Sequence, residues 1–234
     1  MNRLDQKGTD LNDARNRRIA VLGGTGHEGT GLALRWAKAG YEVIIGSRDA
    51  TNAISAAADL QSRSGGLISG AENSDAADRA DIVVLAVPFQ VQVKLASAVR
   101  EALIGKILID VTVPLVPPKV ARVQLPAAGS AVEALQQILG PEVRVISAFQ
   151  NVSAHQLADL DGPIDCDLLV CGDDPEAREQ VCQLARAIGV RAWHAGPLAN
   201  SAAAEALTSV LIFINKRYKI SNGAGIRITG LQEE

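Results

Sequence analysis

Aromatic residues make up only 3% of this 234-residue chain, although hydrophobic residues reach 47%. A core of this size must therefore be filled with Ala, Val, Leu and Ile, a mixture suited to buried strands covered by Ala-rich helices. Cysteine is also scarce. Cys166, Cys171 and Cys182 form an odd set without a C-x-x-C pair, which argues against a disulfide framework and points to a reducing, cytoplasmic setting. Charge of one sign is lacking too: 23 basic against 26 acidic residues leave a net −3, so composition offers no bulk attraction to nucleic acid. No uninterrupted apolar run approaches the length of a membrane span. The first residues, "MNRLDQKGTDLNDARNRR", lack the apolar centre of a secretory signal. Residues 1–17 read as a disordered extension of a soluble protein.

What is present is alternation. "RIAVL", "YEVIIGSR", "ADIVVLAVP", "KILIDVTVP" and "VRVISAF" are short apolar runs separated by segments of helical composition. Runs of this kind predict parallel strands with helices on both faces. Pro88 and Pro114 are read as strand terminators, since proline cannot donate to a ladder. Asp174-Pro175 reads as a helix start. Beyond about residue 155, "CDLLVCG", "DPEAREQVCQLARAIG", "VRAWHAG" and "LANSAAAEALTSVLIFINKRY" add another strand-helix-strand-helix unit. The expected fold is α/β, a Rossmann-type doubly wound, mainly parallel sheet with a C-terminal α/β extension, in one domain over 18–230.

Gly24-Thr25-Gly26-His27-Glu28-Gly29 satisfies G-x-G-x-x-G between the first strand and its helix. In that context Gly24 is assigned the tight turn, Gly26 the close approach of backbone to a pyrophosphate, and Gly29 the helix-on-sheet contact. Free amides at the helix start meet the phosphates. The end of the second strand selects the dinucleotide. An NAD site places a carboxylate there for the ribose diol, whereas this chain has Ser47 and Arg48; a hydroxyl and a guanidinium suit a 2′-phosphate, and NADP is expected. Ala86, Val87 and Pro88 follow a strand's carboxyl end, where open sheets bind ligands, and are expected to border the cofactor.

A nucleophile elbow and a helical metal pair of histidines are both missing, and His27, His155 and His194 stand apart. Asp110 ends a core strand without a visible acid-base partner. No metal is predicted and no catalytic residue is assigned, which agrees with hydride transfer between two bound carriers, where orientation dominates. Lys216, Arg217, Lys219 and Arg227 form a basic stretch able to receive an anionic substrate tail.

The blocks "VLGGTGHEGTGLALRWAKAG…VIIGSR", "ADIVVLAVP", "SAFQNVSAHQLADLD", "VCGDD" and "AGPLANS" together resemble the coenzyme F420-dependent NADP reductase family, and also the related oxidoreductase domain of the STEAP metalloreductases. The resemblance implies a Rossmann-type subunit, a homodimer or higher homo-oligomer, that passes hydride between NADP(H) and F420. It implies that Thr25, Ser47 and Arg48 hold the 2′-phosphate, and that Gln150 and Val152 border the nicotinamide and deazaflavin rings. Gln150 stands where the archaeal form has histidine, and Asn52 where it has lysine. FMN or FAD in place of F420, and an NADPH-sensing protein without turnover, remain as alternatives.

Overall fold

The computed structural model describes residues 17–230. The expected disordered extension therefore lies almost wholly outside the described residues. Strands β1 (Arg18–Leu22), β2 (Glu42–Ser47), β3 (Ile68–Glu72), β4 (Ile82–Leu85), β5 (Ile107–Asp110) and β6 (Arg144–Ser147) form one sheet in the order 3-2-1-4-5-6. Every pairing in it is parallel. Helices α1 (His27–Lys38), α2 (Ala50–Ser64), α3 (Asn73–Arg79), α4 (Phe89–Ala98), α5 (Arg100–Leu103) and α6 (Ala131–Leu139) occupy the crossovers.

The two faces of the sheet separate along each strand with the period of two that a pleat imposes. Ile19, Val21, Val43, Ile45, Val84 and Ile109 pack on one side with Trp36 of α1 and Ala53 of α2. Ala20, Leu22, Ile44, Val83, Leu85 and Leu108 pack on the other with α3, α5 and α6. Both sides being covered explains why the strands read as continuous apolar runs rather than as alternation.

Two elements escaped the sequence reading. β3 and α3 come from "ISGAE" and "NSDAADR", where a Gly in the strand and a short polar helix leave no periodic signal. The prolines also act differently from expectation. β4 ends at Leu85 and β5 at Asp110, each several residues before its proline. Pro88 is the residue that opens α4, where its fixed φ and missing N–H cost nothing.

The C-terminal unit builds a separate parallel pair, β7 (Asp167–Val170) and β8 (Arg191–His194), joined by α8 (Pro175–Ala187). Asp174 caps α8, accepting from the Glu176 and Ala177 amides at 2.9 Å. The pair meets the large sheet through an antiparallel bridge: Ser147 and Cys171 exchange N–H···O bonds of 2.8 and 3.0 Å. Short α7 (Ala154–Ala158) lies on α1, where Arg35 donates to the carbonyls of Leu157 (3.0 Å) and Gln156 (2.7 Å). The three thiols are buried and unbridged.

A last helix, α9 (Ser201–Tyr218), is anchored by its polar side. Buried Glu205 accepts from Ser130 Oγ (2.7 Å) and from the amides of Ala131 (2.8 Å) and Val132 (3.1 Å) at the start of α6. A carboxylate at a helix N-terminus satisfies orphan amides and complements the dipole. The stretch Leu198–Tyr218 is also long and apolar enough by composition to cross a membrane, with mean hydropathy 1.3. The sequence reading missed this because serines and Glu205 interrupt the run, and those residues are the ones turned into the protein.

Candidate dinucleotide site

The carboxyl ends of β1, β2, β4, β5 and β6 share one edge of the sheet, and the chain reverses around β1, whose neighbours are β2 and β4. Such a switch point opens a crevice for a ligand. The glycine loop lies in it. Its left-handed residue is Gly23, at φ +76°, one position ahead of the glycine assigned to the turn, and a Cβ there would meet the Ala86 carbonyl at 2.5 Å. Gly24 is instead needed for close approach to Val21 and Ile45. Gly29 packs closely as expected: a Cβ would fall 2.9 Å from Gly24 Cα and 3.2 Å from Ala86 Cβ, so helix, loop and the residue after β4 touch there.

Gly26 is the N-cap of α1 and contributes no side-chain bond to the helix start. A Cβ at Gly26 would meet little, the Gly23 oxygen at 3.5 Å being its nearest neighbour. Bare amides beside an open backbone are what a pyrophosphate needs. Thr25, Gly26 and His27 are exposed, while Glu28 is partly covered. Across β2, Ser47 is partly exposed and Arg48 exposed, with no ion pair engaging Arg48 among the described residues. Asp49 is committed to capping α2, accepting from Thr51 N at 2.8 Å and from Asn52 Nδ2 at 3.3 Å. The carboxylate beside Arg48 is thus turned to the helix, and Asn52 serves the cap. Ala86 and Val87 are half-buried and Pro88 exposed at the crevice mouth.

The other half of the crevice holds a polar cluster that the sequence reading missed. Asp110 is fully buried at the end of β5. It accepts from the Thr112 amide at 2.9 Å through one oxygen and from Gln92 Nε2 through the other. Gln150 Nε2 donates to the Asp110 carbonyl at 2.8 Å. Gln92 Oε1, Gln150 Oε1 and Ser147 Oγ are buried acceptors without a protein partner, atoms that a donor-bearing ligand or water would satisfy. Burial lifts the Asp110 carboxyl to about 6 against the opposing bonds from Thr112 and Gln92. Asp110 therefore has buried polar partners, Gln92 and Gln150, where none was visible in the sequence. Local spacing could not reveal partners so distant in sequence.

Phe149 shapes the end of β6. Its φ of +73° is rare for a bulky side chain, and its buried ring meets Trp36 edge-on at 5.7 Å. This turn delivers Gln150 and Asn151 to α9: Thr208 Oγ1 donates to the Gln150 carbonyl at 2.8 Å, and Asn151 Nδ2 to that of Ala204 at 2.8 Å. Gln150 and Val152 are both buried, Val152 within the core cluster that contains Phe149.

The remaining candidates lie elsewhere. Arg227 pairs with Asp165 beside β7, while Lys216, Arg217 and Lys219 are exposed at the end of α9. His155 is exposed on α7. His194 Nε2 lies 2.8 Å from Glu179, and ligand atoms of Glu179, Cys182 and His194 fall within 4.8 Å of one another. Glu179 is shared there with Arg186 at 3.0 Å, a cation already balancing its charge.

The family model described as "NADP oxidoreductase coenzyme F420-dependent" matches residues 18–114. The F420-dependent NADP reductase of Methanothermobacter marburgensis is 45% identical over 224 residues, covering 92% of this chain and 100% of that protein. The chain belongs to the F420-dependent NADP reductase family. A solved structure from Arthrobacter sp. FB24, carrying the provisional name of an F420-dependent NADP-reductase, superposes with a TM-score of 0.78 at 27% identity, covering 92% of this chain and 100% of that one. The rat Metalloreductase STEAP3 is more distant: 29% identical over 196 residues, 81% of this chain but only 36% of the metalloreductase.

Proposed function

We propose that this family member is an oxidoreductase that exchanges hydride between NADP(H) and an F420-type deazaflavin. The observation that carries the dinucleotide assignment is the uncapped start of α1, with Ser47 and an Arg48 unpaired among the described residues at the end of β2. Membership of the family carries the deazaflavin. In this reading the loop from Gly24 to Gly29 holds the pyrophosphate, and Thr25, Ser47 and Arg48 hold the 2′-phosphate. Ala86, Val87 and Pro88 border the nucleotide, while Gln150 and Val152 border the rings. NADPH and the deazaflavin supply the hydride chemistry itself; the chain's part is to align them and exclude water.

The buried acceptors fit this arrangement. A nicotinamide carboxamide carries an NH₂ group, and Gln92 and Gln150 offer carbonyl oxygens with no other partner. Residues 18–230 act as one unit in this reading, because the core on the α1 side runs without a break into Leu168, Val170 and Val181 of the C-terminal extension. The protein works in the cytoplasm as a homo-oligomer, with the exposed apolar positions Val210 and Phe213 of α9 at the subunit contact. The test is turnover of purified protein with NADPH, offering F420, FMN and FAD separately and repeating each with NADH. Reduction of F420 with preference for NADPH is expected. Reduction of flavin alone contradicts the deazaflavin assignment, and tight NADPH binding without turnover contradicts the enzyme.

A further inference from the structure

Glu179 and Cys182, three positions apart in sequence, share one face of α8. His194 closes β8, the strand beside β7. One ligand atom from each residue, a carboxylate oxygen, Sγ and an imidazole nitrogen, lies within 4.8 Å of the other two, and Glu179 Oε2 is 2.8 Å from His194 Nε2. A four-coordinate ion holds neighbouring ligand atoms about 3.3–3.8 Å apart, so the trio needs only a slight rearrangement to enclose one. The second carboxylate oxygen is engaged elsewhere: Glu179 Oε1 accepts from Arg186 Nη1 at 3.0 Å and from Gln183 Nε2 at 3.3 Å. Those bonds fix the carboxylate as the outer partners of a metal ligand do, and leave Oε2 to the imidazole and the thiol. Cys182 is buried, Glu179 half-buried and His194 exposed. An ion can therefore enter beside His194 and keep water as its fourth ligand.

We propose that Glu179, Cys182 and His194 form a binding site for a thiophilic divalent cation, Zn²⁺ above all, that ties α8 to β8. A thiolate with an imidazole and one carboxylate suits Zn²⁺, whereas Mg²⁺ and Ca²⁺ take oxygen ligands. Burial keeps Cys182 a thiol in the free protein, pushed up to about 11. Coordination exchanges that proton for the ion and moves the imidazole hydrogen off Nε2, which is why a thiophilic metal is required. Two of the ligands share a helix and the third arrives from the following strand, so no local spacing in the sequence announces the trio. None of the three residues is placed at the dinucleotide crevice, and the ion binds whether or not the F420 reading holds.

Co²⁺ is the probe, titrated into the reduced full chain without oxygen or chelator. A single equivalent per chain should produce the visible bands of four-coordinate cobalt together with a near-ultraviolet thiolate-to-cobalt charge-transfer band, and Zn²⁺ should bleach both. Cys182→Ala should abolish the charge-transfer band, while Cys166→Ala and Cys171→Ala keep it. Zn²⁺ should raise the melting temperature of wild type but not of Cys182→Ala. Glu179→Gln and His194→Ala should weaken Zn²⁺, measured by competition with Co²⁺, by at least about 10- to 100-fold, the loss that even outer-shell changes cause. A wild-type spectrum without the charge-transfer band, or cobalt held only in the six-coordinate form that surface carboxylates give, overturns the site. A band that survives in Cys182→Ala does the same. His194→Ala, at an exposed position, carries the test if the buried substitution unfolds the chain, and unchanged affinity in it also overturns the site.

Discussion

At the residue scale, Arg48 and Asp167 show how one side chain's surroundings decide its role. Arg48 is exposed at the end of β2, its neighbour Asp49 spent on capping α2. Removing it by Arg48→Ala is expected to weaken NADPH by about 10- to 100-fold, the scale of one charge-assisted contact, with NADH little changed. Dissociation constants for both nucleotides check this, and equal weakening would contradict the 2′-phosphate role. Asp167 is the opposite case, fully buried, 2.7 Å from Arg191 and accepting from the Trp193 indole at 3.1 Å and the Ile228 amide at 2.8 Å. Burial pushes its carboxyl up, but the Ile228 and Trp193 bonds and Arg191 together hold it below the usual 3.8. A depressed acid contributes stability above its unfolded pKa and loses it as pH falls through the folded value. Asp167→Ala should therefore cost about 3 kcal/mol at pH 7, and urea melts should show the gap to wild type narrowing below about pH 4.

At the element scale, the glycine loop works because α1 can press against the loop and the chain leaving β4 without a side chain between them. Gly29→Ala places a methyl 2.9 Å from Gly24 Cα and 3.0 Å from the Gly23 oxygen, backbone atoms that cannot swing aside. The variant is expected to lose about 1–3 kcal/mol of stability, the range for overpacking, and at least tenfold in NADPH affinity as the loop shifts. Thermal melts and NADPH titration read the two effects, and an unchanged affinity would mean that the loop is not the phosphate site. The loop, α1 and the buried strands were legible because glycine spacing and apolar runs are local signals. β3 and α3 were not, since their stability comes from lying between covered neighbours rather than from their own periodicity. The turn at Phe149 was also hidden, because nothing in "SAFQN" announces a left-handed phenylalanine.

At the scale of the whole molecule, α9 buries Ser201, Glu205 and Ser209 and leaves Phe213 57% exposed. Ala204 and Leu211 are buried beside them, so Phe213 and Val210 form a second, outward apolar face, which the functional reading above matches to a second copy. Phe213→Glu is expected to shift sedimentation toward a smaller species without unfolding the chain. A wild-type protein that sediments as a monomer would remove that role.

The strand-helix alternation, the glycine loop, Ser47 and Arg48 in place of a carboxylate, and the family were all legible along the chain. Each of these is carried by residues adjacent in the chain, where spacing translates directly into backbone geometry. The fold alone brings Gln92 and Gln150 to Asp110 from separate elements and seats Glu205 at the start of α6. Those contacts join residues far apart in the chain, and the free energy of a buried carboxyl depends on what the fold places around it, which no local pattern records.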